Sequence, residues 1–335
     1  MNPVLAELHD KARAVLDPVH YDFFAGGVGD EVVLAENEAA FRRLALLPRV
    51  LRGNETQAGF PVLISPTAFH RLAHPDGELA TARAAAGTVL VASMASTVPI
   101  ADIVAAATGP VWFQLYVQPD MDVTEALVRR AERAGCGALV VTADSPVFGR
   151  HRRDLAHGFH DLPAGLAAEN MRDLAGVPGP RSIEMSAAVS WEHVDRLREM
   201  TSLPLWVKGI LHPQDAVLAV GHGVAGIVVS NHGGRQLDLV PAALDALPAV
   251  VDAVAGRVPV ALDGGVRGGG DIALALALGA SAAGIGRPVL WGLAADGEQG
   301  VRRVLDVLRD EFDHVLTLCG GELTRDMVVR RHAGC

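Results

Sequence analysis

The chain has 335 residues, 50% of them hydrophobic and 20% charged, which is enough for a large buried core and far from the composition of a disordered chain. A formal net charge of -10 disfavours a nucleic-acid backbone or an anionic membrane as the main partner, because both would repel such a surface. Cys136, Cys319 and Cys335 are odd in number and form no CxxC pair, so neither a disulfide framework nor a zinc site is indicated and a reducing, cytoplasmic setting is expected.

The N-terminal MNPVLAELHDKARAVLD mixes charges into a helical pattern and lacks the apolar core of a signal peptide. Residues 1 to about 60 read as helices, LAELHDKARAVL and then EVVLAENEAAFRRLAL, forming an extension packed on or across the rest of the fold. From Pro61 onward, short apolar runs alternate with longer helical stretches, the signature of βαβ units and a parallel sheet. The runs are PVLISP, VLVASM, PVWFQLY, ALVVTAD, PLWVKGI, GIVVSNH, PVALDGG and AAGIGR, starting at Pro61, Val89, Pro110, Ala138, Pro204, Gly226, Pro259 and Ala282. Each is nearly all apolar, as expected of strands covered on both faces. The expected fold is therefore α/β: a (β/α)8 TIM barrel, one domain over residues 1–335, with an N-terminal helical extension. A doubly wound open sheet competes, but its GxGxxG after the first strand is missing. The long interruption between Asp144 and Pro204, with GRHRRDLAHGFHDLPAG and GVPGPRSIEM, reads as a lid or a disordered loop after the fourth strand. The uncharged IALALALGASAAGIG is shorter than the ~20 residues of a membrane span and reads as a buried helix entering a strand.

A barrel assembles its active site from the residues just beyond the C-terminal ends of its strands. Here that set is polar: Ser65, Thr67, Ser93, Gln114, Tyr116, Thr142, Asp144, Lys208, His232, Arg235, Asp263, Arg267 and Arg287. The last two loops, DGGVRGGGD and GIGRP, place glycines beside Arg267 and Arg287, a combination suited to phosphate, although glycines alone also serve tight turns. His232 and Arg235, three residues apart in SNHGGRQLD, can point into one cavity as a base and an anion clamp; a capping or packing histidine is the bland alternative. Asp144 can orient His232 and stabilise its imidazolium. A buried Lys208 needs an anion nearby, and three readings stay open: a Schiff-base lysine, a counter-charge to an anionic cofactor, or a structural ion pair. No metal cluster is indicated.

With these residues assembled, the sequence resembles the FMN-dependent α-hydroxy-acid oxidase and dehydrogenase family, which includes glycolate oxidase, lactate oxidase and mandelate dehydrogenase. SNHGGRQLD, WVKGI, WFQLYV, LVVTAD, LDGGVRGGGD and IGRP appear in family order, and YDFFAGGVGDE and LAENEAAFRRL fit as well. The resemblance implies an FMN cofactor, a small 2-hydroxy-acid substrate, oxygen or another electron acceptor, and a homo-oligomer, tetrameric by family precedent. It implies that His232 removes the substrate proton with Asp144 behind it, that Arg235 holds the carboxylate, and that Tyr116 contacts the substrate oxygen. Lys208 would stabilise the reduced ring, while Ser93, Gln114, Thr142 and Ser230 would contact the flavin and Pro66, Thr67 and Ala68 would back it. Asp263 would hold the ribityl chain, and Gly264, Gly265, Arg267, Gly286 and Arg287 would enclose the phosphate.

Three departures matter. Phe23 stands where many members have a tyrosine that helps bind the carboxylate, as in hydroxymandelate oxidases, and this points to an aryl substrate such as mandelate or 4-hydroxymandelate. In the lid, His151 follows Arg150, a substrate-binding candidate, where a second arginine is common; the expected consequence is a weaker or pH-dependent clamp. LRGNETQAGFPVL and ARAAAGTVL are shorter than usual, with trimming expected at the barrel's lower face. The lid carries no extended apolar run, so no membrane insertion is expected, and an oxidase is favoured over a dehydrogenase. A non-redox phosphate-binding barrel, aldolase or isomerase, and a binding-only descendant are the rival readings.

Overall fold

The structure is a computed structural model, and it describes residues 2–51 and 59–331. Eight parallel strands close into a barrel: β1 (Val62–Ile64), β2 (Val89–Ser93), β3 (Val111–Leu115), β4 (Leu139–Thr142), β5 (Leu205–Ile210), β6 (Gly226–Val229), β7 (Val260–Asp263) and β8 (Ala282–Ile285). Neighbours in sequence pair in order, and β8 closes on β1 with Ile285 opposite Ile64. All eight apolar runs are these strands, covered outside by helices and filled inside by side chains.

The interior is plugged from below by two indoles. Trp112 and Trp206 lie 5.0 Å apart between centroids, among Leu63, Val91, Val140, Val228 and the small Ala138 and Ala261. Gly226 makes room for this packing, since a Cβ there would lie 2.5 Å from the Trp206 ring. The large-against-small arrangement fills the lower barrel and leaves the upper end for polar groups.

The extension holds three helices, Pro3–Val15, Pro18–Ala25 and Val32–Arg42. The first two start on a side-chain cap followed by proline: Asn2 accepts from the Val4 N–H and Asp17 from the Val19 N–H. The third has no cap of its own. Asp238, beyond β6, supplies it, accepting from the N–H groups of Asp30 at 2.8 Å and Val33 at 2.9 Å. Buried Asn37 then exchanges two hydrogen bonds with Asn231, at 2.9 and 2.8 Å. The extension is thus bonded directly to the turn that carries His232.

Several details differ from the pattern in the sequence. Pro18–Ala25 is a helix of its own, and the last LAL of EVVLAENEAAFRRLAL leaves the helix to form a strand, Leu44–Leu46, antiparallel to Val328–Arg330. The lid after β4 has structure of its own, a short helix Arg152–His157 and an antiparallel pair, Arg172–Leu174 with Val177–Pro180. Most of LRGNETQAGFPVL, positions 52–58, lies outside the described residues. Among the described residues no helix is long and apolar enough to cross a membrane.

Trp206→Ala should lower the unfolding free energy by about 3–5 kcal/mol, because the barrel floor has few ways to collapse into the space left. Urea denaturation at fixed FMN concentration measures this; a loss below about 1 kcal/mol would contradict the plugging role.

Candidate active site

The upper mouth of the barrel gathers the polar strand ends. Ser230 follows β6, fully buried, and its Oγ accepts the N–H of His232, which has a left-handed backbone at φ 59°. This turn swings the imidazole towards β4, where its Nδ1–H donates to Asp144 Oδ1 at 2.9 Å. Ser145 Oγ sits 3.2 Å from the same nitrogen, donates to Asp144 at 3.3 Å, and accepts from Gln236 Nε2 at 2.6 Å. The opposite nitrogen, Nε2, faces the Tyr116 hydroxyl at 3.4 Å. With its proton held on Nδ1, the ring offers Nε2 as an acceptor, the form a general base requires.

Charge tuning favours that form. Burial of His232, reinforced by the Lys208 ammonium, pushes its pKa below the ordinary histidine value against the pull of Asp144. Burial works against the Asp144 carboxylate too, but His232, Lys208 and the hydrogen bonds from His232 and Ser145 outweigh it and hold its pKa below the ordinary value. Burial, and then Asp144, raises the Tyr116 phenol, which stays protonated.

Three arginines form the second feature. Arg235 Nη1 donates to the carbonyls of Phe23 at 2.7 Å and Gly26 at 2.9 Å, with the guanidinium carbon 5.2 Å from the Phe23 ring centroid. Arg287 donates from Nε to Phe24 O, from Nη1 to Gly233 O and from Nη2 to Gly26 O, at 3.0, 2.9 and 2.8 Å. A guanidinium has five N–H donors. Arg287 therefore keeps two and Arg235 keeps three, on Nε and Nη2, without a partner among the described residues. Burial first, then Arg235 and Arg267, pushes the Arg287 pKa down to about 9. Burial lowers that of Arg235 as well. Arg267 is paired with Glu38 at 3.0 Å.

The remaining predicted residues line the same strand ends. Buried Gln114 accepts from Ser93 Oγ at 3.0 Å and donates to Thr142 Oγ1 at 3.1 Å. Lys208 is 4% exposed, and its Nζ is 3.7 Å from Asp263 Oδ2, too far for a hydrogen bond. Asp263 Oδ2 accepts from Ser65 at 3.1 Å, while Asp263 Oδ1 and Asp144 Oδ2 are buried without a partner among the described residues. Gly264 and Gly265 follow β7, and a Cβ on Gly265 would lie 2.1 Å from Asn37 O, so only glycine brings this turn against the extension. Gly286 faces Thr67, whose hydroxyl bonds His70, and Pro66 and Ala68 are half-buried beside it.

Arg150 is the exception among the predicted site residues. It lies exposed on the lid, and only its backbone carbonyl is engaged, by the Gly29 N–H at 3.3 Å. His151 instead points inward, its Nε2–H donating to the backbone carbonyl of Arg235 at 2.9 Å while Nδ1 pairs with Asp154 at 3.1 Å. Sequence reasoning missed Ser145, Gln236, Asn37, Asp238 and the carbonyls of Phe23, Phe24 and Gly26. Gln236 lies inside the SNHGGRQLD motif, which is the signal that could have found it; the carbonyls carry no side-chain signal.

A parallel barrel with an imidazole–carboxylate pair, unspent guanidinium donors and a buried ammonium at its mouth defines an enzyme that handles anionic ligands. A family model described as FMN-dependent dehydrogenase matches residues 12–331. The chain is 45% identical to the mouse (Mus musculus) 2-hydroxyacid oxidase 2, covering 97% of each chain, and 44% identical to glycolate oxidase of Spinacia oleracea, covering 92% of this chain and 89% of the other. A solved mandelate oxidase with (S)-2-phenylpropionate superposes with a TM-score of 0.87 at 44% identity over 94% of each chain. The chain belongs to the FMN-dependent 2-hydroxy-acid oxidase and dehydrogenase family, oxidoreductases acting on CH–OH donors, and its cofactor is FMN. The residues present fit that group: Asp263 Oδ1 is a buried acceptor with no partner, Lys208 a buried ammonium with no hydrogen bond among the described residues, and the guanidiniums hold spare donors.

The His232 imidazole should titrate with a midpoint below the 6.5 of an ordinary histidine. An NMR titration of its ring nitrogens checks this; a midpoint above 6.5 would show that Asp144 outweighs burial and Lys208.

Proposed function

We propose that this enzyme oxidises an aryl (S)-2-hydroxy acid, such as mandelate or 4-hydroxymandelate, to the 2-oxo acid, with oxygen as the final acceptor. The observation that carries the aryl reading is the Phe23 ring beneath Arg235, an apolar aromatic wall beside the candidate carboxylate clamp. Solved mandelate oxidases, among them one with 3,3-difluoro-2-hydroxy-3-phenylpropionic acid, support it by likeness.

In this reading the spare donors of Arg235 bind the substrate carboxylate and fix the hydroxyl-bearing carbon near His232. His232 Nε2 accepts the substrate proton, and Asp144 stabilises the resulting imidazolium through Nδ1–H. Tyr116, kept neutral by burial, donates to the substrate oxygen. When bound, FMN would supply the acceptor for the two electrons and the second hydrogen of the CH–OH group, with oxygen as the final acceptor. Lys208 would offset negative charge on the cofactor, Ser93, Gln114, Thr142 and Ser230 would hold its ring, and Pro66, Thr67 and Ala68 would back it. The unpartnered Asp263 Oδ1 would accept from the ribityl hydroxyls, and Gly264, Gly265, Arg267, Gly286 and Arg287 would hold the phosphate. Arg150, exposed on the lid, is kept in this reading as a substrate-contacting residue of the lid.

Anaerobic stopped-flow reduction of the bound flavin by glycolate, lactate, mandelate and 4-hydroxymandelate, followed by admission of air, tests the proposal. The aryl acids should bleach the flavin fastest and air should restore it; faster bleaching by glycolate or lactate would overturn the aryl reading. His232→Ala should retain FMN yet bleach with mandelate about 10²- to 10⁴-fold more slowly. Arg235→Met should cost roughly 2–5 kcal/mol in kcat/KM; an effect confined to thermal stability would deny Arg235 the clamp role.

A further inference from the structure

The turn after β1 carries Pro66, Thr67 and Ala68 and ends at Phe69, which has φ 60° and ψ 49°, a left-handed conformation that is costly for a bulky side chain and usually left to glycine or asparagine. The surroundings over-determine it. The Phe69 N–H donates to Ala95 O at 3.1 Å, and its carbonyl accepts from the Leu72 N–H at 2.9 Å. The next residue, His70, is buried: its N–H donates to Glu78 Oε1 at 3.0 Å, and its ring spans Thr67 Oγ1 at 2.7 Å and Thr81 Oγ1 at 3.0 Å. Glu78, buried in turn, accepts from the N–H and hydroxyl of Thr97 at 2.8 and 2.7 Å.

This buried network delivers one thing to the mouth of the barrel, a half-buried benzyl group. The Phe69 ring lies 6.0 Å from Phe23 at an interplanar angle of 29°, and Phe159, from the lid, lies 5.3 Å from Phe23 at 60°. Two rings from distant segments therefore pack against Phe23, whose own ring lies under the Arg235 guanidinium. Phe23 is already engaged by the guanidinium, and Phe159 sits on the lid. Phe69 is fixed to the barrel by its backbone bond to Ala95 and by the buried network on His70 that follows it.

We infer that Phe69 is a specificity-determining residue, its ring forming the fixed wall against which the aryl group of a 2-hydroxy acid stacks while Arg235 holds the carboxylate. The inference rests on the aryl reading of the substrate. An offset or edge-to-face aromatic contact at such a wall discriminates by roughly a factor of ten.

The test uses the FMN-bound enzyme and two variants, Phe69→Ala and the bulkier Phe69→Leu. It measures kcat/KM for anaerobic flavin reduction by (S)-mandelate and (S)-lactate, and the calorimetric Kd of phenylacetate. The mandelate-to-lactate ratio should fall at least about tenfold in Phe69→Ala, with a smaller fall in Phe69→Leu, and phenylacetate should bind about tenfold more weakly. If Phe69→Ala does not fold, the Leu variant decides by the same ratio. An unchanged ratio with unchanged phenylacetate binding would overturn the inference, as would equal losses for both substrates, which mark a purely structural residue. A wild-type enzyme without preference for mandelate would overturn the aryl reading and this inference with it; a wild-type preference that survives in both variants would overturn Phe69 alone.

Discussion

The carbonyl oxygen of Gly26 accepts hydrogen bonds from two arginines at once, Arg235 at 2.9 Å and Arg287 at 2.8 Å. Like charges brought this close inside a protein repel strongly, and burial adds a desolvation cost to each. The arrangement is offset by where it sits. Helix Pro18–Ala25 ends there, and the carbonyls of its last turn, with no intrahelical partners, form the negative end of its dipole. Phe23, Phe24 and Gly26 satisfy those carbonyls on the guanidiniums while steering the spare N–H groups elsewhere. The N-terminal extension is therefore part of the proposed anion site, and its bonds through Asn37 and Asp238 keep it in register with the turn that carries His232.

The same logic applies deeper in the mouth. Among the described residues Asp144 Oδ2 and Asp263 Oδ1 are buried acceptors with no donor, and Lys208 is a buried cation 3.7 Å from Asp263 Oδ2. Each such group costs about 1–3 kcal/mol if nothing meets it. A protein that concentrates these costs at one end of a well-packed barrel stores them for a ligand. Burial also does chemical work in this mouth, since it depresses the proton affinity of His232 and keeps an acceptor nitrogen available.

The barrel was legible because each strand is covered on both faces, so its apolar run stands out between helical stretches, and because the polar residues just beyond the runs share one end. The SNHGGRQLD turn and the glycine–arginine loops were legible for the same reason. What escaped depends on partners far along the chain. Nothing local marks Asp238 as the cap of a helix starting at Val32, or tells LAL at Leu44 that its strand partner lies at Val328. Backbone carbonyls that receive arginines leave no side-chain trace, and His70 and Glu78, charged types in a polar-looking segment, gave no hint of a buried network that sets Phe69.

The spare donors of Arg287 make one direct demand in this reading: the phosphate must add strongly to the cofactor's affinity. Titrating the cofactor-free protein with FMN and with riboflavin, which differ only in that group, measures it. Two charge-assisted contacts predict a Kd for FMN at least about a hundredfold lower than for riboflavin. Equal affinities would contradict the anion seat and, with it, the role of the N-terminal extension in building that seat.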